Sequence, residues 1–318
     1  MNKSLLIKKI SLAAASAVFA LFFGLFFKSF LNLGGLNALV VLLIVTILFL
    51  AVFLIQTLLI EDFLFNAGIV VVDVALITGV FIGQFSFLIL LAAALAVILL
   101  LAGYYAARLE LKNNLDIRFF KTAGYVMKYG SSALAIFAVI TYLALLNLED
   151  PAASKRALAA IIKPTEPITG AYIPGFTIND PLTEISRKIM PDNVKAASSA
   201  VQAEFIKASS DRLADAIGGF INAVVVPSDS ILNVVYKSTI AKLLKLSDFT
   251  RNLVLAGSGL IAFFMLKFLL IFVDWLATIV GFGIYQLLWG ARFFTVELQS
   301  RTQKMIVLSK EKTETPAP

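Results

Sequence analysis

From Ile10 to Ile60 the chain runs 51 residues with a single charged side chain, Lys28. A helix at the surface of a water-soluble core shows a polar face every turn or two. A membrane-spanning helix needs about 20 mostly apolar residues. The run is therefore long enough for two spans, at 10–31 and 37–60, and the patch Asn32-Leu-Gly-Gly-Leu-Asn37 predicts the turn between them. Apolar segments at 63–83, 85–107 and 129–148 predict three more spans. The first two of these are separated only by Gly83-Gln-Phe-Ser86, which predicts a tight helical hairpin.

The pattern then changes. Residues 149–250 carry 11 basic and 11 acidic side chains and seven of the nine prolines, the mark of a segment outside the bilayer. Pro164, Pro167, Pro174 and Gly175 interrupt helix and predict an irregular lead-in. Asp180-Pro181 reads as a helix start, with aspartate as cap and proline at the first helical position. After Pro191-Asp192, the spacing of Val194, Val201, Phe205, Ile217 and Ile221 predicts a longer helix that Pro227 ends. Ser228 or Asp229 then caps a helix with Ile231, Val234, Val235, Leu243 and Leu244 on one face.

The last apolar stretch, Asn252 to Ala291, admits two readings. In one, a hairpin across Lys267–Asp274 separates two spans, and Trp275 and Trp289 lie about 21 Å apart along the second, suiting two aromatic belts. In the other, a single span over about 260–281 ends at Gly281-Phe-Gly283, and Lys267 and Asp274 sit near mid-bilayer. Sustained apolarity favours two spans; the basic tail (Arg292, Arg301, Lys304, Lys310, Lys312) favours one. The expected fold is thus an all-α polytopic transmembrane helical bundle of six or seven spans with a small helical extracytoplasmic domain. Its parts are a five-span membrane domain over 1–148, the extracytoplasmic domain over 149–250, a C-terminal membrane segment over 251–294 and a basic tail over 295–318.

Charge orients this arrangement. Lys3, Lys8 and Lys9 precede the first span, and Arg108, Lys112, Arg118, Lys121 and Lys128 follow the fourth. Four crossings bring both clusters to one side, so the positive-inside rule predicts a cytoplasmic N-terminus, with the plasma membrane as the expected location. The net charge of +7 reads as orientation and not as a nucleic-acid surface. The N-terminus resembles a signal peptide, but its apolar region is too long and no small-x-small site follows before Lys28, which predicts an uncleaved first span.

Composition removes whole chemistries. There is no cysteine and no histidine, so disulfides, thiolate metal sites, imidazole ligation and histidine-based triads are excluded. Gly257-Ser-Gly259 resembles the site of an intramembrane serine protease, but the histidine partner is missing. Gly281-Phe-Gly283 is followed by Ile284 and Asp73 is preceded by Val72, a poor match to an aspartyl intramembrane protease. No phosphate-binding or dinucleotide glycine pattern follows a strand. No enzyme activity, cofactor or metal is expected.

The candidate sites are few. Asp73, Lys267 and Asp274 are the most buried-looking charges, and a charge inside a span costs at least about 2.5–3.5 kcal/mol and is a functional candidate by default. On one continuous helix Lys267 and Asp274 share a face about 10 Å apart along the axis, with the lysine stem leaning away, so Lys267 is expected to meet Asp73 or to reach water. A relay would use such a pair. The plainer reading is an interfacial hairpin at 267–274 and a quietly paired Asp73. Lys28 and Glu61-Asp62 read as interface markers. Small residues four apart, Ser16-Ala20-Gly24, Gly79 with Gly83, Ala92 with Ala96 and Gly103 with Ala107, predict close helix packing. Gly257, Gly259, Gly281 and Gly283 are candidate hinges. Residues 295–309 alternate loosely, as a short strand, a partner-binding segment or a disordered tail.

Two functions from different classes fit. The first is a non-enzymatic accessory or scaffold subunit, whose partners are the lipid bilayer and a protein met through residues 149–250. The second is a channel or secondary transporter with Asp73, Lys267 and Asp274 in a polar path. The scarcity of polar side chains in the spans favours the first.

Overall fold

In the computed structural model, residues 3–84, 86–113, 118–146, 148 and 150–294 are described, with side chains from Leu6 onward. The expectations for the tail at 295–318 lie outside these residues. Thirteen α-helices and two short 3-10 turns make up the described chain, with no strand and a single isolated bridge between Pro181 and Ser230.

Five helices are long and apolar enough to cross a membrane. They are α1 (Lys3–Leu33), α2 (Leu36–Leu59), α4 (Phe87–Asn113), α5 (Phe119–Leu145) and α13 (Asp248–Gly290). Helix α3 (Phe63–Gly79) is apolar but has 17 residues, about 26 Å of rise. The predicted turn after α1 is present: Gly34 and Gly35 adopt φ of 61° and 90°, which a side chain resists. The predicted hairpin between α3 and α4 is present as well, closed by the 3-10 turn Ile82–Gln84.

Helix α2 is the centre of the bundle. Phe49, Leu50, Phe53 and Leu54 are fully buried, and α1, α4, α5 and α13 all pack on this helix. Phenylalanines from four parts of the chain fill the interior. Phe23 stacks on Phe27 and Phe49, Phe49 on Phe53, and Phe27 meets Phe81 and Phe137, with ring centroids 5.9–6.4 Å apart. Ring pairs in these arrangements add to the area they bury.

Small residues set the closest helix contacts. Ser16, Ala20 and Gly24 lie where α1 meets α3, and a Cβ on Gly24 would come within 3.0 Å of the Ile77 backbone. Helices α4 and α5 pair through buried Ala92, Ala96 and Ala107, and a Cβ on Gly103 would lie 2.9 Å from that of Tyr129. Gly79 and Gly83 face open space, so the packing expected of them is absent.

The C-terminal membrane segment departs from expectation. Helix α13 runs 43 residues without a break, straight through Lys267–Asp274, where the two-span reading needs a hairpin. Apolar length alone cannot turn a chain, and this stretch holds no proline and no turn pair at its middle. The helix also runs unbroken through all four candidate hinge glycines. A Cβ on Gly259 would lie 2.8 Å from Leu143 Cδ1, and one on Gly281 2.9 Å from Leu54 Cδ2, so these two are notches for neighbours on α5 and α2. Gly257 and Gly283 face open space. The Lys8 ammonium donates to the Phe293 carbonyl at 2.6 Å, which sets the end of α13 beside the start of α1.

Residues 150–247 form a second, helical unit. It comprises α6 (Pro151–Ile162), α7 (Glu166–Gly170), α8 (Leu182–Lys188), α9 (Asp192–Lys195), α10 (Ser199–Ile221), α11 (Ile231–Ser238) and α12 (Ile240–Leu243). Asp150 caps α6 through Ala152 N–H; the lead-in over 163–180 begins with a 3-10 turn and the five-residue α7 and then, as expected, runs without helix from 171 to 180. Helix α10 starts later than expected and ends at Asn222, in the left-handed conformation (φ 49°), before Pro227 is reached. Pro181 is the N-cap of α8, not its first turn, and Ser230 caps α11.

Two segments of this unit repeat. Asp229 follows Asp180 by 49 residues, and each carboxylate closes the same turn. Asp180 accepts from Thr177 N–H at 2.7 Å and from the Lys188 ammonium at 2.6 Å. Asp229 accepts from Val226 N–H at 3.0 Å and from Lys237 at 2.6 Å. The two turns clasp each other, with Thr183 N–H on the Pro227 carbonyl and Leu232 N–H on the Ile178 carbonyl, both at 3.1 Å. Those two bonds exchange under the same 49-residue offset, so the clasp has a local twofold. Partial burial pushes both carboxyls up; the bonds from lysine and backbone outweigh it and hold each below its ordinary 3.8.

Candidate functional site

The three charges expected inside spans fall into two separate places. Asp73 is fully buried where α3 meets α1. Ser16 donates to its Oδ2 at 2.5 Å, and its Oδ1 has no partner. The expected meeting of Asp73 with Lys267 does not occur. Between them stand α2 and its phenylalanines.

Lys267 and Asp274 instead meet each other, on the face of α13 that packs on α5. Their charged atoms are 3.6 Å apart, with side chains 24% and 18% exposed. Two helical turns separate the residues, but an extended lysine and an aspartate leaning together close that gap. Ser131 of α5 sits between them. Its oxygen accepts from the Lys267 ammonium and lies 2.8 Å from Asp274 Oδ2 and 2.7 Å from the Met127 carbonyl, two acceptors competing for one hydroxyl hydrogen. Lys267 also donates to the Lys128 carbonyl at 3.1 Å. Asp274 Oδ1 is buried with no partner. An ion pair this sheltered repays its desolvation only with such added bonds.

A third polar group gathers where α2, α3 and α4 end on the side of the N-terminus. Gln56 donates to Asn66 at 2.7 Å, both fully buried. The Tyr104 hydroxyl lies 2.8 Å from the Glu61 carbonyl and 3.2 Å from that of Ile60. The Arg108 guanidinium stacks over the Tyr104 ring with its centre 5.7 Å from the centroid, and is 4.0 Å from Glu61. The Glu61 side chain itself is 90% exposed, so the tie from α4 runs chiefly to the backbone between α2 and α3. Lys28 donates to the Val80 carbonyl at 2.6 Å, pinning α1 to the end of α3.

Reasoning from the sequence missed Ser131, Gln56, Asn66 and the polar role of Ser16. Gln56 and Asn66 carried a signal, as uncharged amides inside apolar helices, whose buried polar atoms need partners. Ser131 carried almost none, since a serine in a span usually bonds its own helix.

Among the described residues no group of three or more metal-ligating side chains comes together. No protein-family model, no curated protein and no solved structure matches the chain.

Proposed function

We propose that this chain is a non-enzymatic membrane scaffold that holds residues 149–250 outside the bilayer and presents them to a protein partner. In this reading α3 completes six crossings, and the N-terminus and the end of α13 both lie in the cytoplasm, at the plasma membrane. Lys8, Lys9, Arg108, Lys112, Arg118, Lys121 and Arg292 then share the inner side, in keeping with the positive-inside rule. A single crossing by α13 removes the conflict that two spans there would have created for the basic tail.

The observation that carries the proposal is the contrast between a closed bundle and a fastened outer unit. The bundle interior is apolar and rich in phenylalanine, and the three polar groups described lie in separate places, two between helix pairs and one across the ends of α2, α3 and α4. A channel or transporter needs such groups in sequence along one path. The outer unit is fixed to the bundle at α6. A Cβ on Gly34 would touch the Ala160 backbone at 3.0 Å, Lys163 donates to the Leu33 carbonyl at 3.1 Å, and Tyr142 to that of Ala157 at 3.4 Å. Away from these contacts the unit exposes Tyr172, Phe220 and Val224, each more than 80% accessible, as apolar contact area for a partner.

The test is reconstitution of the full chain in sealed vesicles. The expected result is proton and potassium leak no greater than that of empty vesicles. A leak that Asp73→Asn or Lys267→Met abolishes overturns the scaffold reading in favour of transport.

A further inference from the structure

The scaffold reading uses the outer unit and leaves the polar site between α5 and α13 without a task. Lys267 and Asp274 close the deep end of a groove of about 520 Å³, whose walls include Phe120, Lys128, Trp275 and Thr278. Phe120 is 62% and Trp275 70% exposed, so the groove opens sideways to whatever surrounds the bundle, which for apolar spanning helices is lipid. Its charged lining residues are Lys128, Lys267 and Asp274. Lys267 is held by Ser131 and Asp274, while Lys128 is exposed, its ammonium 5.7 Å from the Tyr129 ring centre. Lys128 lies about 14 Å along α5 from Phe119, and side chains lean toward the helix N-terminus, here the side of the bundle where α1 begins. The groove therefore spans the depth at which headgroups give way to acyl chains in that leaflet.

We propose that this groove binds an anionic phospholipid, its phosphodiester between Lys128 and Lys267 and its acyl chains along exposed Phe268 and Ile271 toward the bilayer centre. A phosphodiester with no ammonium of its own matches two lysines facing one carboxylate. A choline headgroup brings a further cation into the same space and fits less well. Trp275 at the open edge supplies the amphipathic flank that tryptophan and tyrosine provide at the headgroup level.

Trp275 is also the probe. Trp289→Phe leaves it the sole tryptophan. The full chain, in phosphatidylcholine vesicles, is given dibrominated phosphatidylglycerol or dibrominated phosphatidylcholine at equal mole fraction in both leaflets, and quenching of Trp275 is read. The expected result is a preference for the anionic lipid of about fivefold per contributing lysine. Lys128→Gln, which leaves the Lys267–Asp274 pair intact, removes most of it, and Lys128→Arg keeps it. Equal quenching by the two lipids, or a preference that Lys128→Gln leaves undiminished, overturns the proposal. Inorganic phosphate is expected to leave the quenching unchanged; relief by phosphate also overturns it, since the groove would then take a soluble anion. The lipid is the same in both leaflets, so failure here leaves the proposed orientation and scaffold role untouched, as a leak would leave the groove.

Discussion

The molecule makes the same bond in two settings. Outside the bundle, Asp180 with Lys188 and Asp229 with Lys237 pair at eight residues' separation across the start of a short helix. Inside it, Asp274 pairs with Lys267 at seven residues' separation along one long helix. In the outer unit each carboxylate takes one backbone N–H bond as well as a lysine, and Asp180 also takes the Thr177 hydroxyl. In the bundle the carboxylate has Ser131 and Lys267, and one oxygen is left over. The comparison teaches that an Asp–Lys pair is as stable as its remaining bonds, and that water supplies those bonds only outside.

The largest expected effect follows from removing one partner of the intramembrane pair. Lys267→Met leaves Asp274 charged and uncompensated, at about 3–5 kcal/mol of thermal stability in detergent. The double change Lys267→Met with Asp274→Leu is expected to recover most of that loss. A double variant as weak as the single one would show that the pair is not what the site depends on.

Next comes Asp180→Ala or Asp229→Ala, each expected to weaken the outer unit by about 1–3 kcal/mol, read as faster proteolysis within residues 163–247. Because the two turns clasp each other, the double variant should lose less than the sum. Strict additivity would contradict the clasp.

Acid distinguishes the two settings without mutation. Asp180 and Asp229 are held below their ordinary 3.8, so they favour the folded unit fully above that value. As pH falls from about 4 through their lowered values, protonation removes the contribution. The outer unit should therefore resist protease unchanged from about pH 7 to 5 and lose resistance below about 4. Loss beginning near neutrality would point to other groups. The smallest expected effect is that of Ser131→Ala, about 1 kcal/mol, because Lys267 and Asp274 still face each other without the bridge.

How much of this was readable from the residues alone follows the same division. The Gly34-Gly35 turn and the α3–α4 hairpin were legible because turn chemistry is local. The course of α13 was not, since 40 apolar residues give a length and no direction. The Lys267–Asp274 pair was hidden by treating axial rise as distance, which neglects how far a lysine stem reaches. Ser131, on another helix, is a tertiary fact. The clasp was half visible: both aspartates were noted near helix starts, yet the 49-residue repeat keeps the aspartate and the lysine with few other identities, too little to stand out beside a predicted cap.

The central claim is that the polar groups of the bundle lie in separate places and form no path. The cysteine-free chain allows a direct test by placing single cysteines at Ser16 and Ser131 and treating sealed vesicles with a small cationic thiol reagent from either face. The account predicts no reaction at position 16 or position 131 from either face, since both side chains are fully buried. Reaction of the two positions from opposite faces would contradict it, because a continuous polar route would then cross the phenylalanine core.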